Sequence, residues 1–191
     1  MRRLHYQTPP FPNEVTTWGL TQAYFGLVSA HGLRLPDAIL DVRADIERLE
    51  VALQAVPGHQ VPSQVDTYAW NLLDVDGDIH IIDYDFGGMA DEYLDIGDVA
   101  MEGDLDEDRT EQLVRHYFGG CTPHQLARTL LFGISAQYMW SMLFVNMAQL
   151  IPDLPAGDFD YWGEAESRLG WVLRRLDQIP VSRLVEQARR A

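Results

Sequence analysis

The chain has 191 residues, is 47% apolar and carries a formal net charge of −15, which suffices to bury one domain core and has the wrong sign for nucleic acid or an anionic membrane surface. The charge suits a cationic small molecule, a metal ion or a basic partner, or else belongs to a plain solvated acidic face. A lone Cys121 excludes a disulfide framework and points to a reducing cytoplasm, and Met1-Arg2-Arg3 runs into polar, Pro-rich sequence rather than the apolar stretch of a signal peptide.

In chain order, Asn13 is expected to cap a helix through about Ala30, with Trp18, Ala23 and Leu27 at helical spacing and His31-Gly32 ending it. Pro36 opens a second helix, whose Ile39, Val42, Ile46, Leu49 and Leu53 recur at intervals of three and four until Pro57-Gly58. A β-hairpin follows, with strands near Asn71 to Val75 and Ile79 to Asp83 around an Asp76-Gly77 turn. Helices are expected over Asp91 to Met101, Asp106 to Phe118, Pro123 to Leu150, Phe159 to Leu176 and Val181 to Arg190. Thr129 to Pro152 holds no charged residue, long enough to span a bilayer on that criterion. Gln137, Asn146, Gln149, Ser135 and Ser141 interrupt it, so a buried central helix is the expectation. No linker or repeat divides the chain, and 1–191 reads as a single, mainly α domain.

The chemistry concentrates between Gln64 and Asp85. Asp66 and Asn71 stand in a D-x4-N arrangement, and the returning strand delivers Ile82-Asp83-Tyr84-Asp85. One loop and one strand end thus bring a base, an amide oxygen and a carboxylate toward one point. Phosphoryl transfer uses such a set, because it rests on positioning a hydroxyl and neutralising phosphate oxygens. The competing reading is ordinary local structure: Asp66 as a loop acid accepting backbone N–H bonds, and Asn71 and Asp83 as hairpin-end residues. His80 alternates with isoleucines as an exposed strand residue, and His116, Cys121 and His124 have no zinc spacing.

The run Gln64-Val65-Asp66-Thr67-Tyr68-Ala69-Trp70-Asn71, with Ile82-Asp83-Tyr84-Asp85, resembles the choline kinase and aminoglycoside phosphotransferase family, whose catalytic loop reads H-x-D-x4-N and whose metal-binding strand end reads I-D-[WFY]-E. Gly87 to Glu102, Trp140 in the apolar helix, and Phe159-Asp160-Tyr161 before Ala165 and Arg168 resemble the choline kinase subgroup. The resemblance implies an α+β fold that is mainly α, the helical C-lobe of the protein kinase-like fold with a small β-hairpin carrying the catalytic loop. It makes Asp66 the catalytic carboxylate, Asn71 and Asp83 the Mg²⁺ ligands, and Asp85, Tyr138, Trp140 and Tyr161 candidate substrate contacts, with Trp162 completing an aromatic box for an amine. Gln64, in the place of the family His, and Asp95 under the loop are structural supports.

A complete family member also has a nucleotide-binding lobe with a Gly-rich loop and a strand lysine, whereas all 14 basic residues here are Arg. The expectation is therefore a C-lobe alone, with little affinity for ATP by itself, acting on or binding a small amine or amino alcohol. The alternative is a remodelled pseudokinase that binds a ligand or partner or does other chemistry. Trp70, where the family has a small residue, is expected to fill the vacated cleft or to anchor a homodimer or a separate N-lobe-like chain.

Overall fold

The structure is a computed structural model that describes residues 1–151 and 159–190. Among the described residues, eight helices and four short strands follow in the order α1 (Arg2–Gln7), α2 (Thr17–His31), α3 (Asp37–Ala55), β1 (Gln60–Ser63), β2 (Leu72–Val75), β3 (Asp78–Ile81), β4 (Gly88–Asp91), α4 (Tyr93–Glu102), α5 (Glu107–Phe118), α6 (Pro123–Leu150), α7 (Tyr161–Gln178) and α8 (Val181–Ala188). A 3-10 turn, Ala69–Asn71, precedes β2. The mainly α architecture expected from sequence is the one observed. The Pro152 end of the charge-free run lies outside the described residues.

Helix α6 is the axis of the core. Thr122 and Gln125 close a capping box at its start and Pro123 occupies the first turn, so the helix begins with its exposed N–H groups satisfied. Its 28 residues pack against α4, α7, α2, α8, α3 and α5. The window apolar enough to cross a membrane is 83% buried by these neighbours, so its lack of charge reflects a core position.

Helix α3 buries the expected stripe, Ile39, Val42, Ile46, Leu49 and Leu53. Helix α2 differs from expectation. Thr16, not Asn13, is its cap, accepting from the Gly19 N–H, and its inward side is Thr17, Thr21 and Tyr24 while Leu27 is exposed. Asn13 instead joins the edge of β4: its side chain donates to the Gly87 carbonyl, and its own carbonyl accepts from the Met89 N–H. A pairing partner 74 residues away outweighs local cap preference.

Strands β1 and β4 pair antiparallel, from Gln60 opposite Asp91 to Ser63 opposite Gly88. This ladder brackets the chemistry-bearing segment and was not legible from the sequence. The foreseen hairpin is β2–β3, with Leu72 opposite Ile81. Asp76 and Gly77 both have positive φ, 55° and 88°, as a type I′ turn requires, and the Asp74 carboxylate accepts from the Gly77 N–H. Both faces of the hairpin meet solvent, exposing Leu73, Val75 and Ile79.

Helices α4 and α6 cross so closely that a Cβ on Gly97 would lie 2.6 Å from the Thr129 carbonyl oxygen and 2.7 Å from the Gly133 nitrogen. Both obstacles are backbone, so neither can swing aside. Gly97→Ala is expected to cost ~1–3 kcal/mol by overpacking, a fall of several degrees in melting temperature for a domain of this size. An unchanged melt would mean that the two helices separate without cost.

Candidate functional site

The Asp66 loop is held from below by two carboxylates one helical turn apart on α4. Asp95, wholly buried, accepts from the Gln64 N–H at 3.0 Å and the Val65 N–H at 2.9 Å. Its Oδ2 also lies 3.0 Å from Nε2 of His5 on α1. Asp98, equally buried, accepts from the Thr67 N–H at 2.9 Å, the Thr67 hydroxyl at 2.6 Å and the Trp140 indole N–H at 3.2 Å. These contacts fix a conformation that the residues would not choose: Val65 sits at φ 73°, a left-handed geometry disfavoured for a β-branched side chain. Asp66, next in sequence, is half-buried.

Asn71 fastens to the same acid. Its Nδ2 donates to Asp66 Oδ2 at 3.0 Å and to the Asp66 carbonyl at 2.9 Å, which leaves the amide oxygen as a free hard donor. The Asn71 carbonyl accepts from the Ile82 N–H at 3.0 Å, so the strand return sets Asp83 beside Asn71. Asp83 is exposed and has a positive φ of 58°. Gln64, fully buried, reaches across from the loop: its Nε2 donates to the carbonyls of Asp83 at 2.7 Å and Ile82 at 3.2 Å. Gln64 thus joins the Asp66 loop to the residues that follow β3, and Asp95 holds the same loop from below. Asp85 is exposed two residues beyond Asp83. Asn71 and Asp83 each carry a hard oxygen of the type Mg²⁺ takes together with waters and phosphate oxygens, and no group of three or more His, Cys, Asp or Glu among the described residues forms an all-protein cage.

Burial is the first cause that pushes the Asp66 carboxyl above its ordinary value; the Asn71 bond draws it back, Glu102 raises it further, and Arg168 opposes Glu102. Arg168 is the hub of that second layer. It pairs with Glu102, donates to Gln137 at 3.0 Å and to Glu164 at 2.8 Å, and its guanidinium lies 5.9 Å from the Tyr68 ring and 5.2 Å from the Phe144 ring.

The expected aromatic box is corrected by these positions. Tyr138 is a core residue, its hydroxyl donating to the Ile39 carbonyl at 3.0 Å. Trp140 is buried as well, edge-on to Phe86 at 5.0 Å and spent on Asp98. Trp162 is covered by Arg34 at 4.6 Å. Tyr161 stacks on Phe144 with centroids 6.2 Å apart, and Phe144 and Tyr68 are the rings that face Arg168. Sequence reasoning missed Asp98, Glu102, Gln137 and Phe144. Asp98 had a signal: with Asp95 it makes two acids three apart at the start of a helix otherwise apolar on that side. Trp70 is 77% exposed and fills no cleft among the described residues.

Burial pushes the Asp98 carboxyl up from 3.8 to about 7, with Glu102 adding to the shift and Thr67 opposing it. The folded state therefore holds this proton more tightly than the unfolded chain. The stabilisation is full below the ordinary value and lost as pH rises through about 7. Asp98→Asn removes the dependence, so the melting temperature of the native chain relative to this variant should fall steadily from about pH 4 to pH 7. A constant difference across that range would show that Asp98 is ionised throughout.

No protein-family model and no curated protein matches this sequence. Solved structures do resemble the fold. A choline/ethanolamine kinase family protein from Mesorhizobium loti has a TM-score of 0.86 and 26% identity, over 100% of this chain and 64% of that one. A choline kinase from Streptococcus pneumoniae has a TM-score of 0.71 and 18% identity, over 91% and 60%. An ethanolamine kinase from Plasmodium vivax has a TM-score of 0.65 and 19% identity, over 94% and 53%. At those lower identities the likeness is one of fold, and this chain spans less than two thirds of each of these proteins. The chain has the kinase-like fold of choline/ethanolamine kinase family structures, over the helical, C-lobe-like part of them.

Proposed function

We propose that this chain is the substrate-side lobe of a phosphotransferase acting on a small amine or amino alcohol. The observation that carries the reading is the Asp66–Asn71 contact, which couples a carboxylate of raised proton affinity to an amide whose nitrogen it engages and whose oxygen it leaves free. Asp66 would orient the substrate hydroxyl and take its proton as the bond to phosphorus forms. Asn71 and Asp83 would hold Mg²⁺, which when bound neutralises phosphate oxygens. Gln64, Asp95 and Asp98 keep the two halves of the site in register. Glu102, Glu164 and Asp85 give the surroundings a negative potential that favours a cationic substrate, and the lone Cys121 suits a reducing cytoplasm.

The nucleotide side needs groups from beyond these 191 residues, since the sequence offers no lysine. Trp70, Leu73, Val75, Ile79 and Ile82 leave exposed apolar surface on both sides of the hairpin and beside it, and such surface suits a lobe docked from a separate N-lobe-like chain or a second copy. The lysine-free composition also favours a second reading, a pseudokinase that binds its ligand without ATP.

Metal and chemistry can be tested separately. Added Mn²⁺ should broaden the NMR signals of Asn71, Asp83 and their neighbours, and Asp83→Ala should abolish the effect; the same weak response in both would remove the metal assignment. Phosphoryl transfer to choline or ethanolamine, assayed in the complete assembly, should fall about 10²-fold or more in Asp66→Asn with the melting temperature unchanged. Specific Mn²⁺ binding without any transfer would select the pseudokinase reading. Micromolar ATP binding by this chain alone would overturn the divided-lobe arrangement.

A further inference from the structure

A cavity of about 270 Å³ opens between the start of α2, the second half of α3 and β4, and none of its lining residues comes from the Asp66 loop or the hairpin. Leu53, Leu94 and Phe132 supply apolar wall, and the exposed Gln54 and Gln60 form part of the rim. Two carboxyl side chains, Asp91 and Glu50, also line it.

Their situations differ. Asp91 is matched: Arg128 Nη2 lies 2.6 Å from its Oδ2, the Gly58 N–H donates at 2.7 Å and the Tyr93 N–H at 3.2 Å. Arg128 is itself fully buried and anchored on the carbonyls of Leu53 and Val56. Glu50, only 4% exposed, receives neutral donors alone. The Thr17 hydroxyl at 2.8 Å and the Ser135 hydroxyl both bond the same oxygen, Oε1, and no Arg or His pairs with Glu50 among the described residues. Burial pushes this carboxyl up, with the Ser135, Thr17 and Gln54 side chains drawing it back. An acid placed in an apolar cavity without a counter-charge is costly to ionise. A cation entering the cavity supplies the charge that the protein withholds.

We propose that this cavity is a second small-molecule site, which takes a compact primary ammonium compound paired with Glu50, its short alkyl part lying against Leu53, Leu94 and Phe132. A primary ammonium has three N–H donors, and the carboxylate and rim amides offer acceptors for them. A quaternary ammonium offers none and favours aromatic faces, of which Phe132 is the one lining this cavity. The volume falls just under the usual ~300–1,000 Å³ of ligand pockets, which leaves no room for a nucleotide. The proposal is independent of the reaction assigned to Asp66.

The test uses n-butylammonium chloride titrated into the ¹⁵N-labelled chain and followed by amide NMR shifts. Saturable shifts are expected at Thr17, Glu50, Leu53 and Leu94, absent with n-butanol and with tetramethylammonium, and unchanged in Asp66→Asn. Glu50→Gln keeps the shape and removes the charge, and should weaken binding at least tenfold. Gln54→Trp blocks the rim from an exposed position and should abolish it; should Glu50→Gln fail to fold, this variant decides alone. Shifts that do not saturate, that cluster around Asp66 instead, or that persist in Gln54→Trp overturn the proposal.

Discussion

One buried carboxylate, that of Asp95, carries the conformation of the candidate site. The Asp66 loop turns through a left-handed valine, and a β-branched residue does not stay there on its own. Two backbone N–H groups directed at one ionisable side chain hold it. Charge-assisted bonds of this kind are roughly twice as strong as neutral ones, and inside a protein they are not diluted by water. The same oxygen that receives the Gln64 N–H also meets His5, so the short first helix is tied to the loop through a single atom. Asp98 accepts from Thr67 one turn later, through a carboxyl whose ionisation burial disfavours. The loop is therefore an outgrowth of α4, and its geometry is as good as the placement of that helix.

The placement of α4 is in turn a matter of backbone contact. Gly97 and Gly133 let α4 and α6 approach until only main chain separates them, which fixes the depth and rotation of the helix bearing both acids. Glu102, at the far end of α4, then meets Arg168 on α7 and Gln137 on α6. Three helices thus converge on one guanidinium at the floor of the site. This arrangement sets the electrostatic surroundings of Asp66, where a half-buried acid feels Glu102 and Arg168 with opposite sign. Core packing and site chemistry are consequently one structure, since the side chains that tune the acid also join the helices.

Much of this was legible in the sequence because it is local. The three-and-four spacing of Ile39 to Leu53, the Asp76-Gly77 turn and the D-x4-N run each specify geometry within a few residues. What was not legible depends on distant partners. Residues 13–15 pair with the edge of β4, which displaced the helix cap from Asn13 to Thr16. The β1–β4 ladder has no alternating pattern to announce it, since β1 is four residues long and includes a proline. Tyr138 and Trp140 lie in a helix apolar nearly all round, where periodicity cannot tell which side a ring faces. Their roles were settled by what their polar atoms reach, a carbonyl on α3 and a carboxylate on α4.

The amide of Gln64 bridges the Asp66 loop to the backbone of Ile82 and Asp83, at the position where the family motif has an imidazole. A histidine there would change its charge within the physiological range, and its bonds to two carbonyls would vary with the proton it carries. A carboxamide has no such equilibrium. The fastening between the loop and the hairpin base is therefore indifferent to acidity, and this joint holds whatever protons the neighbouring groups gain or lose.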